Sequence, residues 1–187
     1  LFGSDVHGKT LGIVGMGNIG AAVARRGRLG FNMPILYSGN SRKTELEQEL
    51  GAQFRSLDQL LAEADFVCLV VPLSEKTKHL ISHRELGLMK KSAILVNISR
   101  GPVVDEPALI EALQNGTIRG AGLDVYEKEP LSDSPLFQLK NAVTLPHIGS
   151  ATHETREAMA NRALANLRSA LLGERPQDLV NPQVFKG

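Results

Sequence analysis

Short apolar runs alternate with amphipathic stretches along most of the chain. The apolar runs are rich in β-branched residues, and a short run of this kind is typical of a buried strand. They lie at residues 10–14, 34–38, 65–71, 93–98, 120–125 and 142–145. The run at 65–71, DFVCLVV, is apolar at nearly every position, as expected for a strand of a parallel sheet that is covered on both faces.

Helical periodicity fills the stretches between these runs. Two of the predicted helices begin with the capping-box spacing, Ser56 with Gln59 and Ser82 with Glu85. The predicted helices cover residues 18–30, 44–50, 56–64, 82–90, 106–116 and 152–173. Regular alternation of strands and helices predicts an α/β fold, a doubly wound parallel sheet with helices on both faces, plus a C-terminal helix.

Composition narrows the class of protein but does not identify it. The length of 187 residues suits one domain, or one domain with a fragment of another. A net charge of +1 gives no reason to expect a nucleic-acid partner, and no apolar run approaches the roughly 20 residues that span a bilayer. The single cysteine, Cys68, excludes an internal disulfide framework, which favours a reducing, cytoplasmic location.

The first chemical signal is the glycine turn GMGNIG, which follows the first predicted strand and opens the first helix. Gly15 allows the tight turn, Gly17 lets the backbone approach a pyrophosphate, and Gly20 permits close packing of the helix on the strand. This context indicates a Rossmann-type dinucleotide site, with a glycine-rich packing turn as the alternative. Arg25 and the arginines after it on the same helix are expected to face solvent and not to bind phosphate.

The second signal is the stretch LYSGNSRKT at residues 36–44, at the tip of the second strand. An Asp or Glu that binds the adenosine ribose is usual at this tip, and here it is missing. Ser38, Asn40 and Ser41 offer hydrogen-bond donors, and Arg42 offers a guanidinium that suits phosphate oxygens. We therefore expect NADP(H) to be preferred, with NAD(H) possible. The alternative is a solvated loop whose Arg42 and Lys43 serve solubility.

Three further strands each end next to a charged or titratable residue. Arg100 follows one apolar strand, Asp124 and Glu129 follow the next, and His147 follows the last. Ligands of open α/β sheets bind beyond the carboxyl ends of the strands, so all four are expected on the rim that carries the glycine turn. Arg100 is suited to a substrate carboxylate, and His147 to proton delivery, with Glu129 favouring the charged imidazole.

Taken singly, the same residues have ordinary explanations as a surface cation, a loop charge and a capping histidine. The set of three favours reduction of a ketone. The remaining histidines have no spacing that indicates a metal site, and none is expected.

The chain resembles the D-isomer-specific 2-hydroxyacid dehydrogenase family from about residue 8 to residue 173. The motifs that carry the resemblance are GIVGMGNIG, VPLSEKTKHLI, ILVNISRGPVVDEPALIEAL, AGLDVYEKEPL and LPHIGSAT. They occur in the order that the family has. Similarity is closest to the glyoxylate/hydroxypyruvate reductase branch, which includes 2-ketogluconate reductases.

The resemblance implies a role for each matching residue. Arg100, Glu129 and His147 match the catalytic trio, and Asp124 matches the acid that faces the nicotinamide carboxamide. The positions implied to bind the cofactor are Gly15, Gly17, Asn18, Ile19, Gly20, Ser38, Asn40, Ser41, Arg42, Val71, Pro72, Thr77, Ile98, Ser99, Arg100, Asp124, His147 and Gly149. The implied substrate is a small 2-oxo or 2-hydroxy acid, and the implied assembly is a homodimer formed through the cofactor domain.

The resemblance also implies a domain arrangement. Residues 1–150 correspond to the NAD(P)-binding domain. Residues 151–187 correspond to a helix and tail that pack towards a substrate domain whose N-terminal part, about a hundred residues in the family, is absent before Leu1. A fragment of this kind is expected to bind the cofactor but to turn over little substrate, because half of the active-site wall is missing.

Two other functions are compatible with the same residues. One is an NAD(H)-sensing interaction protein, like the transcriptional corepressors that share this scaffold. The other is an oligomerisation domain with a vestigial cofactor site. Tight NAD(H) binding would favour the first, whereas the Ser38–Arg42 stretch points to NADP(H).

Overall fold

The computed structural model describes residues 3–185, which form two compact units that meet in sequence between His147 and Ile148. The first unit contains a seven-stranded sheet and five helices. The strands are β1 (Leu11–Val14), β2 (Ile35–Ser38), β3 (Gln53–Phe54), β4 (Phe66–Leu69), β5 (Ile94–Asn97), β6 (Gly120–Leu123) and β7 (Ala142–Thr144). The helices are α1 (Asn18–Phe31), α2 (Thr44–Leu50), α3 (Leu57–Glu63), α4 (His83–Leu88) and α5 (Glu106–Gln114).

All strands of the sheet are parallel, in the order β3-β2-β1-β4-β5-β6-β7. Val14, the last residue of β1, lies opposite Ser38 of β2 on one side and Leu69 of β4 on the other. The chain order therefore reverses between β1 and β4. Ligands of such sheets bind at this reversal, beyond the carboxyl ends of the strands.

Apolar side chains cover the sheet in two clusters. The larger cluster packs α3, α4 and α5 against the strands and includes the buried Leu60, Leu86 and Leu109. The smaller cluster includes Ala24 of α1 and Leu46 of α2. Burial of these side chains removes apolar surface from water, which is the main favourable term in folding. The clusters hold the carboxyl ends of β1, β4, β5 and β6 in fixed relative positions.

Hydrogen bonds at the helix ends confirm both predicted capping boxes. At α3 the box is complete, because the N–H of Gln59 donates to the Ser56 hydroxyl and the Gln59 side chain accepts from the N–H of Ser56. At α4 the Glu85 carboxylate accepts from the N–H of Ser82 at 3.2 Å. The Ser82 hydroxyl accepts from the N–H of Glu85 and also donates to Asp105, the residue that caps α5.

The predicted fold class is confirmed, and two details differ from expectation. The apolar run at 65–71 predicts a long strand, but β4 ends at Leu69, because Val70 and Val71 turn towards the glycine turn and Val71 lines a cavity there. The two-residue strand β3 was not predicted. Both of its residues are exposed, so it carries no apolar run that would identify it.

The second unit contains α6 (His153–Leu171), which begins where the Thr152 hydroxyl accepts from the N–H of Thr155. Gly173 follows with a φ of +75°, a conformation that glycine adopts readily. The tail folds back on α6, where Asp178 pairs with Arg162. Within residues 3–185 no helix has the length and apolar character needed to cross a membrane.

Candidate active site

The glycine turn links β1 to α1 at the reversal of strand order. Gly15 has a φ of +103°, and a Cβ on it would lie 2.8–2.9 Å from atoms of Val70 and Val71. A Cβ on Gly20 would lie 2.3 Å from the carbonyl oxygen of Gly15. A Cβ on Gly17, in contrast, would meet nothing within 4 Å. Gly15 and Gly20 are therefore required by packing, whereas Gly17 leaves open space in front of the turn.

The N-terminus of α1 faces this open space without a compensating charge. Its N-cap residue, Gly17, supplies no side-chain acceptor, and the first turn has no acidic residue. The first N–H groups of a helix carry a partial positive charge and bind anions. Asn18 and Ile19, both predicted to bind the cofactor, are exposed at this end. The turn therefore offers backbone donors to a negatively charged group.

Two cavities flank the turn. The first, the arginine cavity, has a volume of about 620 Å³ and is lined by residues of α1 and of the segment after β2, among them Gly17, Asn18, Arg25 and Arg42. The second, the central cavity, has a volume of about 510 Å³ and is lined by Ile19, Val70, Val71, Pro72, Leu73, Ile98, Ser99 and Arg100.

A network of hydrogen bonds holds the guanidinium of Arg42. The Nε and Nη2 atoms of Arg42 donate to the two oxygens of Glu47 at 3.1 and 2.8 Å. The Tyr37 hydroxyl donates to Glu47 at 2.6 Å and accepts from the N–H of Lys43 at 2.7 Å. The hydrogen bonds from Arg42 and Tyr37 hold the pKa of Glu47 below its usual range. Sequence reasoning missed both Glu47 and Tyr37.

Arg25 also lines the arginine cavity, and its guanidinium donates to Glu49 at 2.6 and 2.7 Å. It is exposed, as expected, but it belongs to the cavity and not only to the outer face of α1. Asn18, Ala21 and Arg25 follow the i, i+3, i+7 spacing of one helix face. This spacing from the glycine turn was the signal that could have identified Arg25.

The other polar residues predicted after β2 do not line the arginine cavity. The carbonyl oxygen of Ser38 accepts from the N–H of Gly15 at 2.9 Å, which ties the tip of β2 to the glycine turn. Asn40 and Ser41 are exposed in the loop that leads to Arg42. Among the polar residues predicted in this stretch, the structure brings Arg42 to the cavity.

The central cavity is lined by six of the residues implied to bind the cofactor. They are Ile19, Val71, Pro72, Ile98, Ser99 and Arg100. Thr77 supports the cavity wall from outside, because its hydroxyl donates to the carbonyl oxygen of Pro72 at 2.6 Å.

The buried Asn97 shapes the segment that carries Arg100. Its Oδ1 accepts from the hydroxyl and the N–H of Ser99 at 2.7 and 3.1 Å, and its Nδ2 donates to the carbonyl oxygen of Arg100 at 3.1 Å. A Cβ on Gly101 would lie 1.7 Å from the carbonyl oxygen of Tyr126, so the next residue packs directly on the segment after β6. Asn97 was not among the predicted site residues.

His147 and Glu129 form the acid–base pair that the sequence predicts. The Nδ1 of His147 lies 2.7 Å from Oε2 of Glu129, and the N–H of Tyr126 donates to Oε1 of Glu129 at 3.0 Å. A carboxylate can only accept, so the Nδ1 of His147 donates and the Nε2 atom is available for chemistry. Burial favours a higher pKa for Glu129, but the hydrogen bonds from His147 and Tyr126 and the charge of Arg100 lower it.

An apolar cavity of about 440 Å³, the histidine cavity, adjoins this pair. It is lined by Tyr126, Glu129, Pro130, Leu131, Phe137, Thr144, Leu145, Pro146 and His147. The Tyr126 hydroxyl donates towards the carbonyl oxygens of Leu123 and Leu145, which ties the ends of β6 and β7 together behind the pair. The His147–Glu129 pair thus stands on a fixed support.

Two further predicted residues line none of the three cavities. Asp124 is buried at the end of β6, where its N–H donates to the carbonyl oxygen of Asn97. Gly149 belongs to the second unit. Among residues 3–185, no group of three or more histidine, cysteine, aspartate or glutamate side chains is placed to hold a metal ion.

Comparisons with known proteins agree with this arrangement. Residues 1–149 match the model of the D-isomer specific 2-hydroxyacid dehydrogenase, NAD binding domain. The chain is 59% identical over 186 residues to glyoxylate/hydroxypyruvate reductase B from Cronobacter sakazakii, covering 99% of this chain and 57% of that protein.

Two solved structures show the same fold. A glyoxylate reductase from Paecilomyes thermophila superposes with a TM-score of 0.84 at 46% identity, over 91% of this chain and 52% of that one. The NAD-complexed D-isomer specific 2-hydroxyacid dehydrogenase from Lactobacillus delbrueckii ssp. bulgaricus superposes with a TM-score of 0.84 at 32% identity. The match covers 96% of this chain and 58% of that one. The chain thus spans little more than half the length of these relatives. It belongs to the D-isomer-specific 2-hydroxyacid dehydrogenase family, within whose NAD-binding domain most of its residues fall.

Proposed function

We propose that the chain is the cofactor domain of an NADP(H)-dependent reductase of small 2-oxo acids. The observation that carries this proposal is the 2.7 Å contact between His147 and Glu129, on a rim that also carries Arg100 and the glycine turn. The names of the relatives, glyoxylate and hydroxypyruvate reductases, support the same class of substrate. 2-Ketogluconate is a third candidate substrate.

The residues around the glycine turn fit a nicotinamide dinucleotide. The open space in front of Gly17 and the uncompensated N-terminus of α1 suit a pyrophosphate. The arginine cavity lies on one side of the turn and suits the adenosine ribose. The central cavity lies on the other side. By the family resemblance its Val71 and Pro72 lie towards the adenosine, and its Ile98 and Ser99 lie towards the nicotinamide ring.

Each member of the catalytic trio has a distinct task in this proposal. A bound reduced nicotinamide would supply the hydride. Arg100, exposed at the edge of the central cavity, binds the carboxylate of the 2-oxo acid through its guanidinium. The Nε2 of His147 delivers the proton to the carbonyl oxygen, while Glu129 holds the ring through Nδ1 and stabilises the charged imidazole.

The choice of NADP(H) over NAD(H) is assigned to Arg42. It lines the arginine cavity, and the tip of β2 ends on Ser38 instead of an acid that would repel a 2′-phosphate. A guanidinium suits phosphate because its planar donors match the oxygens.

Calorimetric titration of the chain with NADPH and with NADH tests this assignment. We expect tighter binding of NADPH, and in Arg42→Ala a loss of NADPH affinity of about tenfold or more, the usual worth of a hydrogen bond to a charged group. NADH binding is expected to change less than twofold. Arg26→Ala is the matched control, because the exposed Arg26 donates to its own helix at Ala22 and does not line the cavity.

Equal or tighter binding of NADH by the unaltered chain would contradict the NADP(H) assignment. It would favour an NAD(H)-sensing interaction protein on the same scaffold. Absence of binding by either cofactor would mean that the cleft needs more of the protein than this chain contains.

Other parts of the proposal concern the whole protein. Residues 151–187 are proposed to pack towards a substrate domain, since the relatives are almost twice as long as this chain. That domain would complete the wall around Arg100 and His147. A homodimer formed through the cofactor domain and a cytoplasmic location remain predictions from the sequence.

A further inference from the structure

We propose that Glu47 is a positioning residue for cofactor selectivity, because it fixes the guanidinium of Arg42 at the wall of the arginine cavity. This inference rests on the proposed preference for NADP(H). It adds a residue that does not itself line the cavity and that the comparisons do not assign. Glu47 would act through Arg42 and touch no part of the cofactor.

The geometry of the pair leaves the phosphate-binding edge of Arg42 available. Glu47 accepts from Nε and from Nη2, which is the side-on arrangement. A guanidinium has five N–H donors, so the two Nη1 donors and one Nη2 donor remain after the pair has formed. Arg42 lines the cavity and Glu47 does not, so the carboxylate holds the guanidinium from behind.

Glu47 is itself held by the core of the protein. Its side chain is 16% exposed, against 66% for Arg42. The Tyr37 hydroxyl that donates to it belongs to a fully buried ring, which packs edge-on against Phe54 with the centroids 5.4 Å apart. The neighbouring Leu46 is also buried. An exposed arginine is thus connected to the sheet through two hydrogen-bonded side chains.

The same tyrosine fixes the loop that carries Arg42. Its hydroxyl oxygen accepts from the N–H of Lys43, the N-cap residue of α2. The Tyr37 hydroxyl therefore fixes the backbone next to Arg42 directly, and it fixes the guanidinium through Glu47. Ordering a long side chain before the ligand arrives removes an entropy cost from binding.

A negative charge behind Arg42 has a second, opposite effect, because it repels a phosphate. This repulsion depends on ionic strength, since the Debye length falls from about 10 Å at 0.1 M salt to about 3 Å at 1 M. The positioning effect depends on geometry and is insensitive to salt. Measurements at two salt concentrations therefore separate the two effects.

The test is titration of the chain with NADPH and with NADH for Glu47→Gln, at low and at high salt. Glutamine keeps the size of the side chain but lacks the second acceptor oxygen of the side-on pair. We expect NADPH affinity to fall by about two- to tenfold, the cost of ordering one long side chain, with NADH within twofold. The loss should persist at high salt.

Two further variants make the test specific. Tyr37→Phe keeps the buried ring and removes only the hydroxyl, and it should weaken NADPH binding in the same direction. Glu63→Gln is the control, because Glu63 also pairs with an arginine, accepting from the Nε of Arg55 away from the cavity. It should change neither affinity.

At high salt, where the repulsion is screened, tighter NADPH binding by Glu47→Gln, an unchanged affinity, or an equal loss for both cofactors would each overturn the inference. If the unaltered chain does not prefer NADPH and Arg42→Ala has no effect, the proposed cofactor choice itself fails. If Arg42→Ala weakens NADPH binding but Glu47→Gln does not, only the role of Glu47 fails.

Discussion

At each end of the crevice a glutamate holds a basic side chain, but the two pairs serve different purposes. At the end that we propose to be catalytic, called the catalytic end below, Glu129 holds His147, and at the opposite end Glu47 holds Arg42. Each glutamate is fixed in turn by a tyrosine, through the N–H of Tyr126 in one case and the hydroxyl of Tyr37 in the other.

The difference lies in the group that each glutamate holds. An imidazole gains and loses a proton near neutral pH, so its carboxylate partner influences a chemical step. A guanidinium stays charged throughout, so its partner influences position alone. Glutamate beside a base therefore indicates catalysis only when the base can titrate.

The largest expected effect is a loss of turnover when the carboxylate that holds His147 is removed. Glu129→Gln, in the full-length protein, should lower turnover by about 10²- to 10⁴-fold, because His147 loses the carboxylate that orients it and stabilises its charge. Affinity of the chain for NADPH should change little. Steady-state kinetics across a range of pH, with the exposed Glu111→Gln as control, would check this.

A decrease in turnover below tenfold would mean that Glu129 is not coupled to the reacting histidine. A parallel loss of cofactor affinity would indicate a structural role for Glu129 instead.

A second prediction compares the rigidity of the two ends by adding one methyl group at each of them. Gly101→Ala should lower the free energy of unfolding by at least about 3 kcal/mol, since a Cβ there would lie 1.7 Å from the carbonyl oxygen of Tyr126. Gly39→Ala is the matched change at the other end, where a Cβ would meet only the N atom of Met16 at 4.0 Å. It should alter stability by less than about 1 kcal/mol.

Urea unfolding of both variants measures this difference. Similar stability for the two would show that the segment around Arg100 yields to accommodate a methyl group, and that the catalytic end is less rigid than its packing indicates.

The smallest expected effect is on the stability of the fold at acid pH. The folded-state pKa values of Glu129 and Glu47 are both lowered, so both carboxylates stabilise the fold above the ordinary value of about 4.3 and lose this contribution as pH falls towards the lowered values. The stability of the chain should therefore decrease below about pH 4. Glu129→Gln and Glu47→Gln should each show a smaller acid-induced decrease by urea unfolding at several pH values.

A variant whose stability falls with acid in parallel with the unaltered chain would show that its glutamate does not contribute. Comparison of the two variants then ranks the two carboxylates by their contribution to the free energy of unfolding.

Sequence patterns identified most of the sheet and the catalytic end. Arg100, Glu129 and His147 each lie in the loop that follows a predicted strand, and parallel strands end at the same edge, so their positions could be predicted together. The two-residue strand β3 could not, because it has no apolar run.

The supporting residues could not be predicted either. Asn97 sits inside an apolar strand, and Glu47 inside an ordinary amphipathic helix, so neither has a local pattern of its own. Their roles come from contacts that depend on how the loop after each strand folds. Ser38, Asn40 and Ser41 have side chains that suit the predicted chemistry, but the path of the chain keeps them out of the lining of the arginine cavity.

The buried tyrosines have a practical consequence for spectroscopy. The chain contains no tryptophan and two tyrosines, Tyr37 and Tyr126. One belongs to the network behind Arg42, and the other to the network behind His147. Tyrosine emission from the chain therefore comes from one natural probe at each end of the crevice, and replacing either with phenylalanine leaves the other to report on its own end without any added label.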